Sequence, residues 1–158
     1  MAAWRRRALA LFPELRGELN PARWRRFDGY NYYLLFFDLF AMFREALNVS
    51  DEQTLRRIFD FAEWCFCQGR RAPDLNNAVC VCFYEHVFDV ARRDWADVAC
   101  WLSPAVVEAC WTLWEARHGK DEIEKLRVVL TAARRMPSRS VDGASGTRSV
   151  FNPVDRTV

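Results

Sequence analysis

The sequence is poor in histidine, glycine and proline, with two, six and six in 158 residues, and its positive charge is almost all arginine rather than lysine. Each scarcity excludes something. Few glycines leave no P-loop, no G-x-G-x-x-G and no G-x-S-x-G, so no phosphate cradle or nucleophile elbow is present. No H-E-x-x-H occurs, and Glu85 and His86 are adjacent rather than spaced as the paired Glu-x-x-His ligands of a di-iron bundle require. Long apolar runs are also missing. The longest, Tyr32 to Phe43, is broken by Asp38, whereas a membrane span needs about 20 residues. The short run Ala8 to Phe12 is interrupted by Pro13, Glu14 and Arg16, unlike an export signal, which leads us to expect a cytoplasmic chain. No stretch alternates apolar and polar residues as a half-buried strand would.

What is present is a large apolar and aromatic content, 51% and 15%, with twelve Phe and seven Trp. That supports one sizeable core and excludes a mostly disordered chain. The periodicity is helical throughout and predicts an all-α fold of six to eight helices, a compact antiparallel bundle or a short stack of helix pairs. A first helix is expected over 3–18, restarted at Pro13, and a short one over 22–27 behind Asn20-Pro21. The next, 30–47, is apolar on nearly every face and reads as central and covered on most sides. Ser50 with Gln53 forms a capping box for a helix over 51–68. A single helix is expected over 74–93, then a short one from Asp94 to Trp101, and a final hairpin of 103–117 and 121–135 around Gly119. Residues 1–136 read as one helical domain, and 137–158, rich in Ser, Gly and Arg, as a flexible tail.

The six cysteines include two C-x-C pairs, Cys65/Cys67 and Cys80/Cys82. On a helix, residues two apart point in diverging directions, so neither pair grips one ion, and reduced thiols without metal are expected. By helical phase, Cys65 and Cys80 face the core and Cys67 and Cys82 face water.

Charge is uneven. Residues 1–26 carry net +5, residues 27–110 net −6, and residues 111–158 net +3. An acidic middle with basic ends suits either intramolecular docking or a basic partner that meets the middle. Within it, Asp38 is the only charge between Tyr32 and Phe43, and reads either as a buried carboxylate paired with a donor from another helix or as a site carboxylate. Asp60, Glu63, Glu85 and Asp89 fall on wet helix faces, as a solvated acidic surface or a partner surface. His86 lies at the edge of a buried face, where a half-buried structural role competes with that of a base. His118 precedes Gly119 and suits a helix C-terminus. Trp4-Arg5-Arg6-Arg7 and Trp24-Arg25-Arg26-Phe27 mix basic and aromatic residues in a way that can bind nucleic acid, or simply places surface arginines beside core tryptophans.

The segments FDFAEWCFCQ at 59–68 and LNNAVCVCFYEHV at 75–87 resemble a family of small bacterial all-helical domains with no assigned reaction. The resemblance covers roughly residues 30–118, and its marks are Asn77 before an apolar helix and the pair Tyr84-Glu85 at its end. By analogy with small helical proteins that accompany secreted toxins, it implies a binding role of the immunity-protein kind.

We therefore expect a non-enzymatic helical protein-binding module, an immunity protein that meets a basic toxin being its sharpest form. The candidate binding residues are Asp38, Asp60, Glu63, Asn77, Glu85, His86 and Asp89. No catalytic, cofactor or metal residue is assigned. The alternatives are a nucleic-acid-associated regulator using the Arg/Trp N-terminus, and an enzyme built on Asp38, Glu63, Glu85 and His86.

Overall fold

A computed structural model describes residues 2–17 and 31–135. Among these, seven α-helices and no strand occur: α1 (Ala3–Leu11), α2 (Tyr32–Val49), α3 (Glu52–Phe66), α4 (Pro73–Cys82), α5 (Trp95–Ala99), α6 (Pro104–His118) and α7 (Lys120–Arg135). Short 3-10 turns lie at Pro13–Arg16, Tyr84–His86 and Arg92–Asp94. The all-α reading holds. The expected helix at 22–27 and the tail at 137–158 lie outside the described residues.

The helix ends follow local chemistry, with one difference from expectation. The Asn31 side chain accepts from the amides of Tyr33 and Leu34 and starts α2. Ser103 caps α6, with Pro104 at its first position. Gly119, at φ +79°, ends α6 before α7 folds back on it. At the α2–α3 junction Ser50 is not the N-cap. It closes α2 in the left-handed region, at φ 56°, and Asp51 caps α3 by accepting from Thr54 N at 3.0 Å. The serine and the aspartate are both good caps, and the tight turn between two packed helices assigns them these separate jobs.

The helices pack in two groups. In the first, α2 lies on α3 and α4, with α1 against α3; in the second, α7 lies on α5 and α6. The segment after α4 touches both groups, packing on α4 and on α6. Here the structure departs most from the sequence reading. The helix expected over 74–93 stops at Cys82, and Phe83 takes φ −125°, ψ −66°. Phe83, Tyr84, Val87 and Phe88 are then all buried between the groups. Leaving the helix frees backbone carbonyls in a dry layer, which is costly unless they find donors. Two tryptophans provide them. Trp114 Nε1 donates to Tyr84 O at 2.6 Å, and Trp95 Nε1 donates to Phe88 O at 3.2 Å. Both indoles also meet the Phe88 ring edge-on.

The second C-x-C pair is reversed. Cys82 is buried and Cys80 is half-buried, because the buried stripe of α4 runs through Leu75, Ala78, Val79 and Cys82 at i, i+3, i+4 and i+7. The first pair is as expected, with Cys65 buried and Cys67 exposed.

A further correction concerns α2, which is not covered on most sides. Leu35, Phe36, Leu39, Phe43 and Ala46 form its buried face, but Leu34 and Phe37 are 44% and 53% exposed. The helix has more apolar residues than its two packed neighbours can cover.

Replacing Trp114 by Phe removes the strong donor to Tyr84 O and part of a fully buried side chain. We expect a loss of about 2–3 kcal/mol in denaturant-induced unfolding, with helix content retained at low denaturant.

Candidate functional site

The chain's two histidines, 32 positions apart, converge on one carboxylate, that of Asp89. The break at Phe83 makes this geometry. It turns Tyr84–His86 into a 3-10 turn and brings Glu85, His86 and Asp89 against the last turn of α6. Arg117 then clamps Asp89, with Nε 2.8 Å from Oδ1 and the terminal nitrogen 2.6 Å from Oδ2, and reaches Glu85 at 3.5 Å. His86 Nδ1 lies 2.9 Å from Asp89 Oδ2, its ring beside Phe40 of α2. His118 Nε2, buried against Trp95, approaches Asp89 Oδ1 to 3.7 Å.

The electrostatics match a structural clasp. Burial pushes the Asp89 carboxyl up, but hydrogen bonds from Arg117 and His86, and their charges, outweigh it and hold the group below its usual range. The same bonds raise the Arg117 guanidinium further. Chemically, the pair His86–Asp89 orients an imidazole, as a general base requires. The sulfur nearest in sequence, Cys82, is buried, and burial together with the charge of Glu85 raises its thiol, which suppresses nucleophilic character.

The other candidates lie apart. Asp60 is exposed on α3. Glu63, one turn on, is half-buried beside Tyr84, whose phenol is lifted well above its usual range by burial and then by the Glu63 charge. Asn77, exposed on α4, donates to Tyr33 Oη on α2 at 3.1 Å. Asp38 is half-buried on α2 rather than sunk in an apolar layer, because that flank of the helix reaches solvent. The seven expected residues therefore form one cluster, Glu85, His86 and Asp89, and scattered positions around it.

Sequence reasoning missed Arg117 as the clamp and Leu34 and Phe37 as surface residues. Arg117 is 28 residues from Asp89, and no local spacing signals their meeting. Leu34 and Phe37 were legible only as helix, since every neighbour in the run is also apolar. The N-terminal arginines largely cover the protein's own rings: Arg5 stands 5.0 Å over Trp4, and Arg7 stands 5.0 Å over Trp64.

Residues 5–119, from α1 through Gly119, match the family model of DUF7674, a domain of unknown function. The chain belongs to the DUF7674 family. No curated protein and no solved structure matches it. The family region starts well before the residues 30–118 that carried the resemblance, and it takes in α1 and the whole Asp89 cluster, while α7 lies beyond it. No helix among the described residues is long and apolar enough to cross a membrane.

The sign of the clasp's pH dependence follows from the lowered Asp89. A carboxyl with a depressed folded pKa adds stability above the ordinary aspartate range and loses it as pH falls through the folded value. Asp89→Asn should cost about 1–2 kcal/mol at neutral pH, after allowance for the 35% exposure of Arg117. The gap between variant and wild type in urea titrations should close below about pH 4.

Proposed function

We propose that this DUF7674 protein is a non-catalytic binding module whose docking surface is the uncovered face of α2. The observation that carries the reading is the exposed stripe Leu34, Phe37 and Ala41, at i, i+3 and i+7 on one side of that helix. An exposed Phe beside an exposed Leu is the kind of anchor that dominates interface energetics. The stripe has an acidic and amide border. Asp38 flanks it on α2, while Asp74 and Asn77 of α4 meet the hydroxyls of Tyr32 and Tyr33. An apolar patch with such a border fits a partner that brings an apolar side chain flanked by Lys or Arg. Glu85 and Asp89 are held by Arg117 in the clasp, and the carboxylates that border the stripe are Asp38 and Asp74.

In its sharper form the partner is a basic bacterial toxin and the protein its immunity factor. What supports this is the small helical scaffold, the acidic-bordered patch and the employment of the polar cluster in holding the fold. The enzyme reading around Asp38, Glu63, Glu85 and His86 is less favoured, because Glu85 and His86 are taken up in the clasp while Asp38 stands on α2 and Glu63 on α3.

Phe37→Lys should leave the melting temperature within about 2 °C, since the ring is half in water. In pull-downs from the native host it should remove a partner that wild type retains. Asp38→Lys with Asp74→Lys should slow association in a salt-dependent way. A toxin partner would arrest growth when expressed alone and be neutralised by wild type but not by Phe37→Lys. A partner retained equally by all variants would overturn the surface, and nucleic acid recovered in its place would favour the regulator.

A further inference from the structure

The hairpin of α6 and α7 carries a groove of about 560 Å³ toward the end away from Gly119. Val107, Glu108 and Trp111 of α6 line one wall, and Arg127, Leu130 and Thr131 of α7 line the other. The floor is apolar: Val107 and Leu130 sit at the edge of the core, and Trp111 is half-buried. The rims carry opposite charges that do not pair with each other. Among the described residues Glu108 has no ion pair. Arg127 stands 5.0 Å over the Trp111 ring and pairs along its own helix with Glu124 at 3.5 Å. Such an exposed pair is held weakly. An occupant suited to this groove brings an apolar anchor with a base on one side and an acid on the other.

Residues 136–158 follow α7 and lie outside the described residues. Their one aromatic, Phe151, is set among Val150, Pro153 and Val154, with Arg148 three positions before it and Asp155 four after. We infer that the groove between α6 and α7 is the seat of this segment, with Phe151 on Trp111 and Leu130, Arg148 at Glu108 and Asp155 at Arg127. Position in the chain supports an occupant in cis. Thr131 lies four residues before Arg135, about 6 Å along the helix. The fourteen residues 136–149 can span at most about 50 Å, so the tether reaches the groove with length to spare. Docking is then intramolecular, at an effective concentration on the order of millimolar. One aromatic ring and two exposed ion pairs, too weak to hold a free peptide, are enough at that concentration. The α7 wall and the segment also belong together in sequence, since both follow residue 119, where the family match ends.

This inference does not rest on the binding reading, which concerns α2 in the other helix group. The docked segment covers the Trp111 face and the edge of Leu130, so a partner gains the groove only by displacing it.

The test is hydrogen–deuterium exchange of the full chain, read by mass spectrometry over residues 148–158, each variant against a synthetic peptide of its own sequence over that stretch. In wild type these amides should exchange at least about tenfold more slowly than in the peptide. Phe151→Ser should abolish the difference. That change touches none of α1–α7, so it decides even where a groove variant fails to fold. Glu108→Arg should cut the protection about two- to fivefold. Adding Arg148→Glu to Glu108→Arg should restore it, which a merely destabilised α6 would not allow. The inference is overturned if wild type exchanges like the peptide, or if protection survives Glu108→Arg combined with Arg127→Glu. It is also overturned if protection grows with protein concentration, since the occupant would then come from a second copy.

Discussion

The structure depends on satisfying the carbonyls of a chain that leaves its helix inside the core. After Cys82 the backbone passes between the two groups of helices, and its carbonyls are in a layer without water. The indole N–H of Trp114, 30 residues on, and that of Trp95 meet those of Tyr84 and Phe88. With these bonds in place, Phe83, Tyr84, Val87 and Phe88 are buried, and the segment packs on α4 on one side and on α6 on the other. The Asp89–Arg117 clasp closes the same joint at its wet edge, so one short segment carries both the packing and the polar lock.

That arrangement gives the polar residues of the joint a structural task. Glu85, His86 and Asp89 come together because the segment turns, and Arg117 and His118 come to them because α6 ends at Gly119. A carboxylate that receives a bidentate guanidinium is committed to structure. What the fold leaves over is apolar: a helix with more large side chains than its neighbours can bury, and so a strip of Leu34, Phe37 and Ala41 toward solvent. The functional reading lies in that surplus.

Much of the fold was legible in the sequence. The helical period, Ser103-Pro104 at α6 and Gly119 at its end each have a local physical signature, and each is where the structure puts it. The failures have a common origin. The break at Phe83 has no glycine or proline beside it and is made by indoles 7 and 30 residues away from the carbonyls they bond. The exposure of Leu34 and Phe37 depends on how many helices cover α2, which a run of apolar residues does not encode. Ser50 and Asp51 are both good caps, and only the packing of α2 on α3 decides between them. Of the site, the grouping of Glu85, His86 and Asp89 could be read from proximity in sequence, whereas Arg117 could not.

The claim that the Phe83–Asp89 segment joins the two helix groups is tested most directly by native-state hydrogen exchange. If it is the joint, the amides of residues 84–89, of α4 and of α6 share one opening free energy, close to that of global unfolding. If residues 84–89 exchange early like a surface loop, or α4 and α6 open independently of each other, the segment does not hold the fold together and the account is wrong.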